Sequence, residues 1–482
     1  MKWFIIFILL IFISGGIKAY RIEQKIDIIN APLATTSTTY TPTTGAGGII
    51  GWNISAYTNI LEIYYESRGK FDFTGIPDGV GSGFTRLYSN SNSTNASLDV
   101  ALSGSPVYKK SENLTFLFKN GNLNLSIQVK AGVDSIANVY GARLVIVQDG
   151  NITKTRTYIP LGFSSSEAIG IATPLSEITD PKRWLWYSSD FGGNINAYFS
   201  GTWYRAGLIG NVFISLLDIN TSSDITGTRL SHTSITPRYS TSSNITNLLT
   251  DGDILSVGWG EDGANSVVIQ RNAFLIIDQI NINSSNPILT IPIQIENKKR
   301  TVNSTTITYD TTTGSYYNGS NWKDINMTHI ADYTYLSGNN SAGDLALARL
   351  RFDGTQLLLS TDTTANLNYS YRRNPFNFAN NETDSEVLDT GISNLGLWVI
   401  TTITSSRLII KINNTNSCYY KGGNWDIDCR ENCNLTTSTN LNQNKVNFSG
   451  SSLLYINTRI FNYSEAIIQS CEVVITNLGE FG

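Results

Sequence analysis

Apolar and polar residues alternate with a period of two along much of the chain. In residues 122–130 every second position is apolar, a pattern that predicts a strand with one buried and one solvent-exposed face. Residues 114–118 alternate in the same way, and Asn120-Gly121 between the two runs is a preferred two-residue turn. We therefore predict an antiparallel hairpin over 114–130.

Two further turn dipeptides separate alternating runs. They are Asp149-Gly150, between 143–148 and 152–159, and Asp353-Gly354, between 348–352 and 357–359. Other strand-like runs are spread from about residue 55 to about residue 415, and helical patterns are few. The sequence therefore predicts an all-β fold of tandem antiparallel β-sandwiches, jelly-roll-like in type, followed by a small C-terminal module.

The polar stretches suggest where the chain divides. Residues 35–44 form a Ser/Thr tract that cannot bury a face, and residues 298–300 form a basic cluster just after an apolar run. The predicted parts are a signal peptide at 1–19, a Ser/Thr-rich linker or stalk at 20–50, a first β-sandwich at 51–297, a second at 298–415 and a Cys-containing β module at 416–482. Ala142-Arg143-Leu144 and Ala348-Arg349-Leu350 are candidates for equivalent strands in two related sandwiches.

The first 19 residues have the organisation of an export signal. Lys2 precedes an apolar run over 3–13, and a small residue, Ala19, marks a cleavage site. The run is too short for the roughly 20 residues of a spanning helix. The alternative is that this segment stays attached to the protein. We expect a secreted or cell-surface protein without a transmembrane anchor after signal removal.

Composition supports export. Only 15% of the 482 residues are charged and the net charge is -4, which disfavours a nucleic-acid partner. Asparagine contributes about 50 residues, and the sequon Asn-x-Ser/Thr occurs about 19 times where composition predicts roughly ten. Representative sequons are Asn53, Asn113, Asn124, Asn220, Asn303, Asn326, Asn381 and Asn462. We expect N-glycosylation at such sites; the alternative is coincidence on an Asn-rich and Thr-rich surface.

All four cysteines lie near the C-terminus, at Cys418, Cys429, Cys433 and Cys471. In an exported chain this favours two disulfides of undetermined pairing over a four-thiolate zinc site, because paired CxxC spacings are absent. The segment 418–436, which contains Asn424-Trp425, and the following segment 446–456 resemble the cysteine-bearing start of a β-solenoid in secreted surface proteins of archaea. The resemblance implies that the cysteine cluster caps a stack of short strands at 445–448, 453–458 and 473–476. The middle of the chain, about 140–280, resembles β-sandwich modules of exported microbial proteins.

No catalytic motif stands out. The two histidines, His232 and His329, neighbour neither a nucleophile elbow nor a metal-ligand motif. Glycoside hydrolysis needs only two carboxylates, and the acidic residues near aromatics are Asp180, Asp190, Glu261 and Asp262. Loop carboxylates at 251–253 and 261–263 are candidates for a structural calcium site, although hairpin turns explain them more simply. We expect no other cofactor and no metal.

An aromatic stretch gives the one candidate ligand site. Its predicted ligand-binding residues are Trp184, Trp186, Tyr187, Trp203 and Tyr204. Exposed rings stack on sugars, whereas the alternation of Trp184 and Trp186 with their neighbours also fits a buried strand. The leading prediction is a non-catalytic cell-surface, adhesion or envelope component whose partners are glycans or other envelope proteins. The alternatives are a carbohydrate-binding protein using this stretch and a secreted glycoside hydrolase.

Overall fold

The structure is a computed structural model of the 482-residue chain. It describes residues 21–482 apart from short segments. The segments outside the description are 1–20, 30–32, 43–47, 75–80, 119–120, 150–151, 164–167, 171–175, 179–181, 208–209, 262–266, 283–287, 293–299, 303–307, 310–314, 319–326, 339–345, 353–354, 363–365, 377–384, 395–399, 413–423, 430–433, 436–437, 450–452, 470, 476–479 and 482. No helix in the described part is long and apolar enough to cross a membrane.

The chain is built almost wholly from strands and divides into two compact units. One unit is Arg21–Asn413, and the other contains Asn414–Gly482. The first unit holds six antiparallel sheets, which pair into three successive sandwiches. The second holds three small parallel sheets. The predicted all-β class with tandem antiparallel sandwiches is confirmed.

The first sandwich occupies 21–149. Its strands are β1 (Arg21–Ile29), β2 (Leu33–Thr35), β3 (Thr41–Pro42), β4 (Ile50–Asn53), β5 (Ile60–Phe73), β6 (Gly83–Ser89), β7 (Thr94–Asn95), β8 (Val100–Ala101), β9 (Val107–Lys110), β10 (Asn122–Ala131) and β11 (Ser135–Asp149), with a 3₁₀ helix at Ile54–Ala56. One sheet has the order β1-β11-β5-β9, and the facing sheet β3-β10-β6-β7.

The second sandwich occupies 154–280. Its strands are β12 (Lys154–Phe163), β13 (Ala168–Gly170), β14 (Ser176–Glu177), β15 (Trp184–Leu185), β16 (Asn194–Ala206), β17 (Val212–Asp218), β18 (Ser223–Asp224), β19 (Leu230–His232), β20 (Arg238–Thr241), β21 (Ile254–Glu261) and β22 (Val267–Ile280), with 3₁₀ helices at Ser188–Asp190 and Thr246–Leu248. Its sheets have the orders β12-β22-β16-β20 and β14-β21-β17-β18.

The third sandwich occupies 288–412. Its described strands are β23 (Ile288–Pro292), β24 (Arg300–Val302), β25 (Thr308–Tyr309), β26 (Ser315–Asn318), β27 (Met327–Gly338), β28 (Ala346–Phe352), β29 (Thr355–Asp362), β30 (Asn366–Phe376), β31 (Ser385–Asn394) and β32 (Ile400–Ile412). Its sheets have the orders β23-β32-β27-β30 and β25-β31-β28-β29.

The three sandwiches share one strand order. In each sandwich the last strand (β11, β22 or β32) lies between the first strand (β1, β12 or β23) and a long middle strand (β5, β16 or β27). The next-to-last strand (β10, β21 or β31) is an inner strand of the facing sheet. Two facing sheets, each with four strands in its main order and connected in this way, form a jelly roll. The chain is therefore three jelly rolls in tandem.

Irregularities in the pairing recur at the same places. The last strand skips one residue against its long partner at Tyr140 in β11, at Arg271 in β22 and at Thr404 in β32. Three residues beyond the skip stand Arg143, Phe274 and Arg407 respectively, which are thus equivalent positions. Bulges are designed features of a fold, so a shared bulge indicates that the sandwiches are copies of one unit.

Each of the first two sandwiches has its own apolar core between its sheets. Leu144 and Ile146 of β11 lie in the first core, and Leu275 and Ile277 of β22 lie in the second. The residues between them in the strand face outward, yet Val145, Ile276 and the equivalent Ile409 are buried as well. The last strand of each sandwich is therefore covered on both faces. For β22 and β32 the outer cover is the preceding sandwich.

The three sandwiches pack against one another through their first strands. Strand β1 contacts both β12 and β23, and β12 contacts β23. Such pairwise contact among three equivalent strands is the pattern of an approximate threefold arrangement. Phe274 and Ile276, on the outer face of the second sandwich, join the apolar cluster of the first, and Ile409 of the third joins that of the second.

The C-terminal unit stacks short strands in parallel. Its strands are β33 (Trp425–Asp428), β34 (Asn434–Leu435), β35 (Thr439–Asn440), β36 (Lys445–Ser449), β37 (Leu453–Ile456), β38 (Arg459–Phe461), β39 (Glu465–Ile468), β40 (Glu472–Ile475) and β41 (Glu480–Phe481). They pair as β33-β36-β39, β34-β37-β40 and β35-β38-β41. Each turn of roughly 20 residues lies on the one before it, and Ile427, Phe448, Leu454 and Ile460 fill the interior.

Several predicted boundaries differ from the structure. The predicted linker contributes β1, β2 and β3 to the first sandwich. In residues 22–28 of β1 both the isoleucines and the charged residues between them are buried, and the charged residues are paired. The predicted first sandwich, 51–297, divides after Asp149 into two. The third sandwich starts at Ile288 rather than at 298.

Two of the three predicted hairpins are wrong. Residues 111–118 form a corner and not a strand, and β11 and β12 belong to different sheets, so residues 149–153 link two sandwiches. The third hairpin, β28 with β29, is confirmed. Arg143 and Arg349 are not equivalent, because Arg143 lies on the last strand of its sandwich and Arg349 on β28, the sixth strand of its own.

Candidate functional site

The aromatic stretch proposed as a ligand site lies in the core of the second sandwich. Trp184, Trp186 and Trp203 are 0%, 1% and 0% exposed. A sugar stacks only on a ring face that solvent can reach, so these three residues are not a binding platform. Of the two alternatives considered for this stretch, the buried strand describes the indole rings.

The two tyrosines of the stretch behave differently. Tyr187 is 39% exposed and precedes the 3₁₀ helix Ser188–Asp190. Tyr204 is partly buried, its hydroxyl accepts a hydrogen bond of 2.6 Å from Nη2 of Arg271, and that guanidinium lies 5.1 Å from its ring centroid. The structure therefore does not bring the five residues together on one surface.

The tryptophans of this stretch have a structural role that recurs in the first sandwich. Trp186 packs against Phe191 across a 3₁₀ helix, and Trp52 packs against Tyr57 across the equivalent helix of the first sandwich. Both aromatic pairs are five residues apart and join β4 to β5 or β15 to β16. The aromatic residues anchor a corner of the jelly roll, and this shared spacing was a sequence signal for the repeat.

A network of buried charges lies on the outer face of the first sandwich. Lys25 Nζ lies 3.0 Å from Glu66 Oε2 and 3.3 Å from Glu23 Oε1. Arg143 donates from Nε to Asp27 Oδ1 at 2.7 Å, and its Nη1 lies 3.8 Å from Glu66 Oε1. All five side chains are almost fully buried. Sequence reasoning missed this network, whose signal was the charge at every second position of one strand, at Glu23, Lys25 and Asp27.

The pKa values in this network reflect burial and pairing. Burial opposes the charge of Lys25 and of Arg143, but their acidic neighbours outweigh it and raise both pKa values. Burial raises the pKa of Asp27, an effect that Arg143 opposes. Breaking one partner of such a network leaves an uncompensated buried charge. The arrangement holds β1, β5 and β11 together and has the character of a structural contact.

A second set of polar residues builds the corner between β9 and β10. The backbone N–H of Tyr65 donates to Ser111 Oγ at 3.0 Å, and that of Ile63 donates to Thr115 Oγ1 at 3.1 Å. The Thr115 hydroxyl in turn donates to Asn113 Oδ1 at 2.6 Å, which also accepts the Thr115 N–H at 2.9 Å. The side chains of Ser111 and Thr115 thus accept the N–H groups along the edge of β5, and Asn113 accepts from Thr115.

The same corner recurs in the second sandwich. Phe199 donates its N–H to Ser242 Oγ at 2.9 Å and Ala197 to Thr246 Oγ1 at 2.7 Å, while Asn244 Oδ1 accepts from both the hydroxyl and the N–H of Thr246. Ser111 to Leu117 and Ser242 to Leu248 share the pattern Ser-x-Asn-[Leu/Ile]-Thr-x-Leu. Part of the sequon surplus therefore has a structural reason, since the fold uses the Asn-x-Thr triplet to close this corner.

The remaining predicted sequons are dispersed. Asn124 and Asn220 are exposed, and Asn53, partly exposed, accepts from Ser55 at the start of the first 3₁₀ helix. Asn462 is exposed and donates from Nδ2 to Asn440 Oδ1 at 3.0 Å in the C-terminal unit. Asn303, Asn326 and Asn381 lie outside the described residues.

One disulfide is present among the described residues, between Cys429 and Cys471, with Cα atoms 5.9 Å apart. It joins the residue after β33 to the residue before β40. Cys418 and Cys433 lie outside the described residues, so their predicted pairing stays a prediction.

The acidic candidates for a calcium site take part in turns. Asp251 accepts from the N–H of Ser188 at 2.7 Å, and Asp253 accepts from the N–H of Thr250 at 2.8 Å. Within the part of the chain that the structure describes, no group of three or more Asp, Glu, His or Cys is placed to hold a metal ion. Glu261 is buried at the end of β21 and Asp190 lies in a 3₁₀ helix, while Asp180 and Asp262 fall outside the description.

His232 is a packing residue. Its ring stacks on Trp203 with centroids 4.4 Å apart, and Nδ1 accepts the N–H of Ser234 at 3.2 Å. Burial lowers its pKa. His329 lies on β27 opposite Phe376 and Ile410.

No family model and no curated protein matches the chain. Among solved structures, it is similar to N-glycanase F (PNGase F), at 10% identity over 54% of this chain and 96% of that chain, with a TM-score of 0.21. It is also similar to the insecticidal delta-endotoxin Cry8Ea1 from Bacillus thuringiensis, at 10% identity over 80% and 60% of the two chains and a TM-score of 0.20. The VP2 subviral particle of infectious bursal disease virus matches at 8% identity over 74% and 73%, with a TM-score of 0.18. At these TM-scores none of the likenesses carries an argument about this chain.

Proposed function

We propose that the protein is an exported, N-glycosylated and non-catalytic component of the cell surface or envelope. The observation that carries the proposal is the way in which the jelly rolls are joined. The contact between the first and second sandwiches and that between the second and third, here called seams, are each closed by hydrogen bonds and by buried side chains. A rigid block of this kind suits a load-bearing surface layer.

The seam between the first two sandwiches illustrates this. Thr58 Oγ1 accepts the N–H groups of Thr153 and Lys154 at 2.9 and 3.0 Å, and the N–H of Thr58 donates back to Lys154 O at 3.2 Å. The Tyr158 hydroxyl donates to Gly51 O at 2.6 Å. Because these bonds involve the backbone of both sandwiches, relative motion of the two would break them together.

The seam between the second and third sandwiches is closed by one buried arginine. Arg407 donates to the backbone carbonyls of Pro160, Lys182 and Arg183. Each buried carbonyl requires a donor, and here the third sandwich supplies it to the second. The tandem array therefore has continuous hydrogen bonding across its joints.

Export and glycosylation rest on other features. Asn113, Asn124 and Asn220 present sequons on the surface, and the Cys429–Cys471 disulfide is a bond typical of oxidising compartments. The apolar run at 3–13 supports a signal peptide.

The test is to follow the native protein in its own cells. Intact cells would be treated with a protease, fractionated and probed with an antibody against the C-terminal unit, and sugar would be detected by a mass shift after chemical deglycosylation. We expect protein in the envelope fraction, loss of signal on protease treatment of intact cells, and a deglycosylation shift. Protein in the cytoplasmic fraction, protected from protease and without sugar, would refute the proposal.

A further inference from the structure

The sequons of the first two sandwiches gather at one end. Antiparallel strands place alternate connections at opposite ends of a jelly roll. One end carries the links β4–β5, β6–β7 and β9–β10 of the first sandwich, and the links β15–β16, β17–β18 and β20–β21 of the second. We name this end the sequon face.

Every described sequon asparagine of these two sandwiches lies in or beside one of those links. They are Asn53, Asn92, Asn95, Asn113, Asn124, Asn220 and Asn244. The described links at the opposite end, 102–106, 132–134 and 233–237, contain no Asn-x-Ser/Thr triplet.

The two sandwiches point in the same direction, which makes the sequon face continuous. Thr58, beside the start of β5, meets Lys154 at the start of β12. Further along, Ile49 exchanges two hydrogen bonds with the hydroxyl of Thr202, at 2.9 and 3.1 Å. The two sandwiches are therefore in contact both at the sequon face and farther from it, and their equivalent strands run in the same direction.

The sequon side chains on this face differ in one chemical respect. Among the described residues, the side chains of Asn53 and Asn113 accept hydrogen bonds through Oδ1, and Asn124 uses its backbone N–H and carbonyl. None of the described hydrogen bonds has Nδ2 of these three residues as its donor. By contrast, Asn220 Nδ2 donates to Gly252 O at 3.0 Å and Asn244 Nδ2 donates to Asn196 Oδ1 at 2.8 Å.

We infer that the sequon face is a glycan-bearing face, modified on the folded protein, on which Asn53, Asn113 and Asn124 are occupied ahead of Asn220 and Asn244. This inference rests on the proposed function, since only an exported chain meets the transfer machinery. The co-reactant is a sugar activated as a phosphate ester.

The selection follows from the chemistry of the transfer. Nδ2 attacks the anomeric carbon, a C–N bond forms, and the C–O bond to phosphate breaks with its electron pair leaving on the phosphate. The nitrogen loses one proton to a base. The amide must rotate out of conjugation to make its lone pair available, and an Nδ2 that already donates a hydrogen bond resists that rotation.

Asn113 and Asn244 form a matched pair for the test. They occupy the same corner, in the same Ser-x-Asn-[Leu/Ile]-Thr-x-Leu pattern, and both direct Oδ1 to the following threonine. They differ in the hydrogen bonding of Nδ2. Nδ2 of Asn244 donates to Asn196 Oδ1, and Nδ2 of Asn113 has no such acceptor among the described residues.

The experiment is site-resolved mass spectrometry of glycopeptides from the full-length protein purified from its own cells, as wild type and as Asn196→Ala. We expect occupancy at Asn244 to be several-fold below that at Asn113 in the wild type. In Asn196→Ala it should rise toward the Asn113 value, while Asn113 stays unchanged. A thermal melt of both proteins checks that the variant is folded.

Equal occupancy of the two sites in the wild type, or no response of Asn244 to Asn196→Ala, would overturn the inference. Sugar at sequons elsewhere in the chain with none on the sequon face would also overturn it, while leaving the proposed function standing. A protein without sugar at any sequon would instead count against the glycosylated surface component itself.

Discussion

Arg407 ties the third sandwich to the second, and its removal gives a sharp test of the seam. Its Nη1 donates to Arg183 O at 3.0 Å, and its Nη2 donates to Pro160 O at 2.6 Å and to Lys182 O at 3.3 Å. The guanidinium lies 5.6 Å from the ring of Trp184, and the residue is 1% exposed. Arg407→Met keeps an unbranched apolar side chain and removes every donor.

The expected cost follows from the three carbonyls left behind. Leaving one buried acceptor without a partner costs about 1–3 kcal/mol. Three such acceptors sum to more, but Arg407→Met also removes the desolvation penalty of a buried cation, which offsets part of the loss. We expect a net loss of about 3–5 kcal/mol in the free energy of unfolding.

The assay is urea unfolding of the full chain followed by tryptophan fluorescence, because Trp184 and other buried indoles of the second sandwich report on its packing. Arg229→Ala is the control. Arg229 pairs with Asp224 at 2.9 Å but is 50% exposed, so it should cost below about 1 kcal/mol. If Arg407→Met cost no more than this control, the three carbonyls would have other donors and the seam would be wrong as described.

The other predictions concern the core, the corner, the disulfide and pH. Trp186→Ala should lower the free energy of unfolding by about 3–5 kcal/mol, measured by urea unfolding; an unchanged midpoint would contradict a buried indole. Thr115→Val should lower the free energy of unfolding by about 1–2 kcal/mol because the N–H of Ile63 in β5 loses its acceptor. Thr115→Ser keeps the hydroxyl and should retain most of that stability. Replacing Cys429 and Cys471 by Ala should destabilise the C-terminal unit by about 4 kcal/mol, as expected for a cross-link across 42 residues, and proteolysis in that unit should speed up. Since burial lowers the pKa of His232, its contribution to stability is present above about pH 6.5 and declines as pH falls through the lowered value. His232→Phe should flatten that part of a plot of urea midpoint against pH, and an unchanged slope would count against the burial of this ring.

Local pattern predicted much of the fold. The alternation in 122–130 became β10, and the hairpin around Asp353-Gly354 became β28 and β29. It failed at 114–118, where two buried residues, Leu114 and Phe118, anchor a corner. Alternation reports which positions are buried, but it does not distinguish a strand from a corner whose hydrogen bonds come from side chains.

The sequence predicted two sandwiches where the structure has three, because equivalent strands share their pairing register and not their residue types. The stretches 142–148, 273–279 and 406–412 do share apolar residues at matched positions, yet Arg143, Phe274 and Arg407 at one equivalent site are chemically different. Each solves a local packing problem. Arg143 pairs with Asp27, Phe274 packs on the first sandwich, and Arg407 binds the second through its carbonyls.

The candidate site shows a similar limit. The sequence located a cluster of aromatic residues but not whether their faces are exposed, because exposure depends on what the opposite sheet and the next sandwich bring to the same place. The structure assigned Trp184, Trp186 and Trp203 to the core.

By itself, the sequence determined that the chain forms β-sheets, that its polar surface is built from amides and hydroxyls, and where strands such as β10 and β36 begin. These properties depend on neighbours within a few residues. The threefold repetition, the seams through Thr58 and Arg407 and the gathering of sequons at one end were decided only by the tertiary structure. The seams join residues from 95 to 247 positions apart, and no local pattern specifies which distant backbone a side chain will contact.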